Sequence, residues 1–269
     1  VKEHILDKLP VHPAAYGFVT GKSTVANAKP HIGKAVVVKF DLQNFFPSIT
    51  FNRIRGYFLS IGYNGVVSTL LALLCSEPPR QQVDFQGKMY HIAIGERQLP
   101  QGACTSPALT NLLCHRLDEK LSKLATEKGF TYTRYADDLT FSATEIAKKE
   151  IGSLMASVRS IVNFEGFTIN ETKTRVLRAG RRQRVTGIVV NEKANLTRHD
   201  LRRFRALLHE VEQQGLEKAN RQKHPNLWAY IQGYISYINM VHPKKGQTYA
   251  AKAKQIAIKY RLQMTEIVS

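Results

Sequence analysis

Long apolar runs, paired cysteines and acidic residues are what this 269-residue sequence is short of. Its longest apolar stretch covers about ten residues, Val66 to Cys75, where a membrane-spanning helix needs about 20. No bilayer crossing is expected, and the opening residues do not read as a secretory signal. The three cysteines, Cys75, Cys104 and Cys114, form no CxxC pair and are odd in number. That argues against a disulfide framework or a zinc site and fits a reducing cytoplasm. Acids are outnumbered, 21 Asp and Glu against 39 Lys and Arg, for a net charge of +18. The expected partner is therefore a polyanion, nucleic acid ahead of an anionic membrane surface. Internal repeats and low-complexity tracts are missing too. With 43% hydrophobic and 22% charged residues the chain is of globular type, long enough for one substantial core and a smaller second lobe. It opens on VKEHILDKLP, which reads as a helix already under way, so a preceding segment is expected.

What is present is an ordered series of strand and helix signals. KAVVVKFDL, residues 34–42, is a β-branched run that predicts a buried strand with Asp41 at its C-terminal end. Helical spacing follows from Thr50 to Ile61 and from Gly65 to Cys75, and VDFQGKMYHIAI, residues 83–94, alternates around a Gln-Gly-Lys turn as a hairpin does. Ser106-Pro107 predicts a helix start, with serine as N-cap and proline first in the helix. Leu109, Leu113, Leu117, Leu121 and Leu124 carry one apolar face onward to a stop at Gly129. FTYTRYADDLTFS predicts a hairpin with Asp137 and Asp138 at its tip. A helix from Thr144 to Glu165, a strand-like FTIN and a second hairpin, RVLRAGRRQRVTGIVVN, complete the first lobe. Beyond Asn191 the pattern is helical, with Leu201, Phe204, Leu208 and Val211 in one apolar stripe and Arg202, Arg203 and Arg205 pointing elsewhere.

Adjacent carboxylates repel, so Asp137-Asp138 needs either water at a turn or a bound cation. Alone the pair reads as a surface turn. Together with Asp41 leaving a buried strand, it offers the hard oxygen ligands that Mg2+ prefers. Such groups can hold two ions about 4 Å apart, one activating an attacking hydroxyl and the other stabilising a leaving pyrophosphate. Leu99-Pro100-Gln101-Gly102 places a glycine beside an amide side chain, where a nucleotide can approach the backbone closely.

In this order, Asp41, Leu99 to Pro107, Tyr135-Ala136-Asp137-Asp138 and Asn170 to Lys173 resemble the strand-end Asp, LPQG-SP, YADD and NxxK marks of the reverse transcriptase family. The likeness runs from about residue 10 to about residue 240. It implies an α+β fold, a polymerase right-hand palm built on an antiparallel sheet with helices. Partial fingers and palm would fill residues 1–191, and a helical thumb that binds RNA and duplex would fill residues 192–269. It further implies that Asp41, Asp137 and Asp138 hold two Mg2+ ions, with Mn2+ as an alternative, and that Lys173 serves the pyrophosphate as a catalytic charge and general acid. The backbone of Asn44 and Phe45 would hold the triphosphate, and Gln101 and Gly102 would line the nucleotide pocket. Phe46, five residues after Asp41, would exclude a 2′-hydroxyl, and Tyr135 would touch the primer end. The fingers segment that brings a basic residue to the triphosphate would precede this chain; Lys22 is not assigned to that role.

Asn27-Ala28-Lys29-Pro30-His31 and Val185-Thr186-Gly187 are similar to the NAxxH and VTG marks of the retron branch, and AAYGFVTGKS, residues 14–23, to the segment leading into the first. This implies a cognate structured non-coding RNA as template and primer, dNTPs as substrates and priming from a guanosine 2′-hydroxyl. It also implies a branched RNA–DNA product and an effector protein encoded nearby in antiphage defence. Between Lys173 and Lys223, 14 Lys and Arg meet five acids, which puts half the chain's surplus charge in a fifth of its length. Arg181, Arg182, Arg184, Arg198, Arg202, Arg203 and Arg205 are expected on RNA phosphates, and Val185, Thr186 and Gly187 on template or primer. Trp228, Tyr230, Tyr234 and Tyr237 either stack on loop bases or pack a thumb helix. The competing readings are other bacterial branches, allied to group II introns, CRISPR loci or abortive infection, and a catalytically silent nucleic-acid-binding scaffold.

Overall fold

The computed structural model describes residues 1–145 and 148–263. Ile146 and Ala147, within the helix expected from Thr144, and residues 264–269, at the end of the expected thumb, lie outside the described residues. A short helix α1 (Thr24–Ala28), capped by the Ser23 side chain on the Ala26 amide, precedes strand β1 (Val36–Asp41). Helices α2 (Phe51–Ser60) and α3 (Gly65–Cys75) follow, the second capped by Asn64. Strands β2 (Arg80–Phe85) and β3 (Lys88–Ala93) form the expected hairpin on a turn at Gln86-Gly87, both with positive φ.

The leucine face after Ser106 forms two helices rather than one, α4 (Ser106–Leu113) and α5 (His115–Glu127), separated at Cys114. Nor does Ser106 act as the N-cap. Thr105 occupies that position, and the Ser106 hydroxyl donates instead to the Pro100 carbonyl at 2.6 Å, which fastens the LPQG loop to the helix start. Strands β4 (Thr131–Tyr135) and β5 (Asp138–Ala143) make the Asp-Asp hairpin, and helix α6 (Lys148–Phe164) comes next. RVLRAGRRQRVTGIVVN is likewise not one hairpin. Its first part, β6 (Arg175–Arg178), pairs with β1 and satisfies the backbone groups of that strand's second edge. Its second part makes a separate ribbon, β7 (Arg184–Val185) and β8 (Ile188–Val189), around Thr186-Gly187. The chain then turns helical in α7 (Arg198–Ala219, broken at Gly215), α8 (Leu227–Val241) and α9 (Pro243–Tyr260).

The main sheet is antiparallel in the order β4-β5-β1-β6. Side chains alternate between the faces of a strand, so neighbouring valines of β1 enter different cores. Val38 and Phe40 join Leu139 and Phe141 of β5 against leucines and valines of α4, α5 and α6. Val37 joins Val25, Ala28, Val185, Ile188 and the apolar stripe of α7, α8 and α9. Lys39 and Asp41 share the Val37 face and continue it to the end of β1, where Asp41 stands opposite Asp138. Among the described residues no helix is long and apolar enough to cross a membrane.

Candidate active site

The carboxylates meet where β1 and the β4–β5 hairpin end together. The Leu42 amide donates to the Asp137 carbonyl at 2.9 Å, which sets the hairpin tip beside the end of β1. The strand-like FTIN pairs briefly with the same end: Gln43 donates to Thr168 and Asn170 to Asp41, each at 2.8 Å. That pairing brings Lys173, three residues on, to Asp41, with Nζ 3.0 and 3.2 Å from the two carboxylate oxygens. Asp138 is matched with Lys39, Nζ to Oδ2 2.7 Å. Burial raises the Asp137 pKa above its ordinary value and the charge of Asp41 adds to the rise, while Lys173 and Lys39 oppose it. Asp138 is likewise raised by burial and held back by Lys39. The hydrogen bond to Asp41 raises Lys173. Acids pressed together, partly desolvated and balanced by lysine ammoniums, are placed where an added cation lowers the repulsion.

Among the described residues no three His, Cys, Asp or Glu side chains are gathered tightly enough to form a metal site. Asp138 is engaged with Lys39 and Asp41 with Lys173. Asp41 and Asp137 still fit Mg2+, which is commonly held by one or two carboxylates completed by water and substrate phosphates.

Beneath this site lies a group of residues that the sequence reading missed. Arg134, next to Tyr135, and Asp118 of α5 are completely buried, and the guanidinium donates to both carboxylate oxygens, Nε at 2.8 and Nη2 at 2.7 Å. Nη1 reaches Asn111 Oδ1 at 3.1 Å and the Ala136 carbonyl, in the turn that carries Asp137, at 3.2 Å. The Tyr132 hydroxyl donates to Asp118 at 2.8 Å. Burial works against the guanidinium charge, but Asp118 outweighs it and leaves the Arg134 pKa raised. A signal was available: alternation puts Tyr132 and Arg134 on the inward face, where a charge needs a partner. On the opposite face His31 is fully buried, Nδ1 2.6 Å from Ser142 Oγ and Nε2 2.8 Å from Thr133 Oγ1, so it bridges β4 and β5. Burial lowers its pKa to about 3, so the ring is neutral.

The residues expected at the nucleotide surround the turn after β1. Asn44 takes a left-handed φ of 48°, Phe45 is buried against Phe167, and Phe46 is half-buried. The Leu99 amide donates to the Ile49 carbonyl at 2.9 Å, which draws the exposed Gln101 and Gly102 to this turn, and Pro47 and Gln101 line one open groove. Tyr135 ends β4 opposite Asp138. Val185, Thr186 and Gly187 are not brought to the carboxylates. Val185 is buried in the second core, and Thr186 Oγ1 donates to the Thr24 carbonyl of α1 at 2.9 Å.

The family profile described as reverse transcriptase (RNA-dependent DNA polymerase) matches residues 1–227. The chain belongs to the reverse transcriptase family. It is 43% identical over 95% of its length to the retron Mx162 reverse transcriptase of Myxococcus xanthus, of which it covers 55%. To the retron Ec86 reverse transcriptase of Escherichia coli it is 34% identical over 95% of its length, covering 72% of that protein. Its kinship is thus with the retron type. A telomerase structure from Candida albicans superposes over 91% of this chain and 49% of its own, with a TM-score of 0.51 at 10% identity, a likeness of fold. The fold is the α+β right-hand polymerase palm with part of the fingers and a helical thumb. In this chain the two retron marks adjoin, since Thr24 of α1 leads into Asn27 and meets Thr186. All seven expected RNA-contacting arginines, Arg181, Arg182, Arg184, Arg198, Arg202, Arg203 and Arg205, are exposed. Of the thumb aromatics, Trp228 is core, its Nε1 donating to the Gln263 carbonyl, while Tyr230 is exposed and stacks between His224 and Tyr234.

Proposed function

We propose that this chain is an RNA-directed DNA polymerase of retron type that copies part of a cognate structured non-coding RNA into a branched RNA–DNA from dNTPs. The observation that carries the reading is Asp41 in register with Asp138, Asp137 in the turn between the strands, and Lys173 held at Asp41. Asp41 and Asp137 would hold Mg2+, or Mn2+ in its place, with Asp138 completing the set on release from Lys39. Two such ions, when bound, activate the primer hydroxyl and neutralise the phosphates. The chain's own residues do the rest. Lys173 balances the leaving pyrophosphate and gives it a proton, the backbone of Asn44 and Phe45 holds the triphosphate, and Gln101 and Gly102 line the pocket. Tyr135 supports the primer end.

Residues 1–191 serve as partial fingers and palm and residues 192–269 as thumb, where the exposed arginines grip RNA stems and the Val185–Gly187 ribbon meets template or primer. Retron kinship supports antiphage defence with an effector protein, and the three free cysteines suit the cytoplasm. Purifying the protein from its native locus should bring down a nucleic acid whose DNA is freed by a debranching enzyme. If none accompanies it while the RNA gene is present, the retron reading is lost. Phe46 acts as the sugar gate, so Phe46→Ala should raise ribonucleotide over deoxynucleotide incorporation by about 10- to 100-fold in primer extension; unchanged discrimination removes that role.

A further inference from the structure

We propose that Phe18 is a specificity-determining residue of the nucleotide site. It is the third ring of an aromatic wall with Phe46 and Tyr135, and it holds Phe46 against the sugar of the incoming nucleotide; this rests on the reading of Phe46 and Tyr135 given above. Phe18 has φ 61°, in the left-handed region that residues with a Cβ avoid. Its ring is 50% exposed, so burial does not explain why it is placed there. Ring centroids lie 6.3 Å from Phe46 and 6.4 Å from Tyr135, both pairs tilted.

The loop around Phe18 is tied to the same hairpin that carries Asp137. The Tyr16 amide donates to the Arg134 carbonyl at 2.8 Å, and Asn111 Nδ2 donates to the Gly17 carbonyl at 2.9 Å. Gly17 lies so flat on the hairpin that a Cβ there would stand 2.6 Å from the Ala136 nitrogen. Lys22 closes the other side, its ammonium donating to the Pro13 and Ala15 carbonyls at 2.6 and 2.7 Å and lying over the Tyr16 ring. A strained backbone that its surroundings over-determine, aimed at a reactive cleft, is the pattern of a functional constraint. By fixing Phe18 to the catalytic turn, the loop sets the distance between the gate ring and the carboxylates and denies Phe46 the room to swing away from a ribose.

The test compares Phe18→Gly, Phe18→Tyr and Phe46→Ala in the full chain. It measures kcat and KM for deoxynucleotide and ribonucleotide on a primed RNA template, together with Tm. Phe18→Gly is expected to lower the preference for deoxynucleotide by about tenfold. Its Tm should stay within about 2 °C of the parent, because glycine accepts the left-handed backbone. Phe18→Tyr, which keeps the ring, should keep the preference. If Phe18→Gly retains full discrimination while Phe46→Ala has lost it, the proposal is overturned and the gate stands. If Phe46→Ala retains it as well, the gate reading fails and this inference with it. A lower Tm with equal losses on both sugars assigns Phe18 a purely structural role and likewise overturns the proposal.

Discussion

Asp137→Asn should reduce DNA synthesis at least about a thousandfold in primer extension, since it removes a carboxylate proposed to hold the Mg2+ that neutralises the reacting phosphates. The same substitution should leave the protein folded and no less stable. The folded state raises the Asp137 pKa by burial and by the nearby Asp41. An acid whose pKa is higher folded than unfolded stabilises the fold only as pH falls through that folded value; at neutral pH its charge opposes folding. A neutral amide of the same shape relieves that opposition, so the melting temperature at pH 7 should be equal or higher while turnover collapses. The two readouts move in opposite directions, which separates a functional carboxylate from a structural one. Synthesis at the parent rate would sink the polymerase assignment.

Much of this site was legible because its signals are local. The β-branched run before Asp41 and the alternation on both sides of Asp137-Asp138 mark strands by a period of two. Lys173 was picked out by the likeness of Asn170 to Lys173 to the family's NxxK mark, and in the structure residues 168–170 pair with the end of β1 and the turn that follows returns the lysine to Asp41. What escaped was non-local. Nothing near RVLR says that it pairs with β1 rather than with its neighbour. The meeting of Thr186 with Thr24 spans 162 positions. The left-handed Phe18 could not be read at all, because that conformation is expected of glycine or asparagine rather than of a large ring. Ser106 misled for a different reason: its hydroxyl donates to the Pro100 carbonyl, whereas a capping hydroxyl would have accepted from a helix amide.

Arg134 should be the most sensitive position outside the carboxylates. Its side chain and that of Asp118 are fully excluded from water, and the pair joins α5 to the strand that ends at the Asp137 turn. Removing one partner of such a pair strands the other as an uncompensated buried charge, at about 3–5 kcal/mol. Arg134→Met should therefore lower Tm by roughly 10 °C or more. Replacing both charges, Arg134→Met with Asp118→Leu, leaves no stranded charge, and most of the lost stability should return, because apolar groups of similar volume often substitute for a buried ion pair at little cost. DNA synthesis should not return with it. Nη1 of Arg134 also donates to the Ala136 carbonyl, between Tyr135 and Asp137, and no methionine can supply that bond. A turn free to shift by an ångström or so moves Asp137 relative to Asp41, and misplacement on that scale lowers turnover by about a hundredfold. A double variant that regains its melting temperature and stays slow would show that the buried pair sets the position of the reacting carboxylates as well as the stability of the palm. One that regains both would limit the pair to stability.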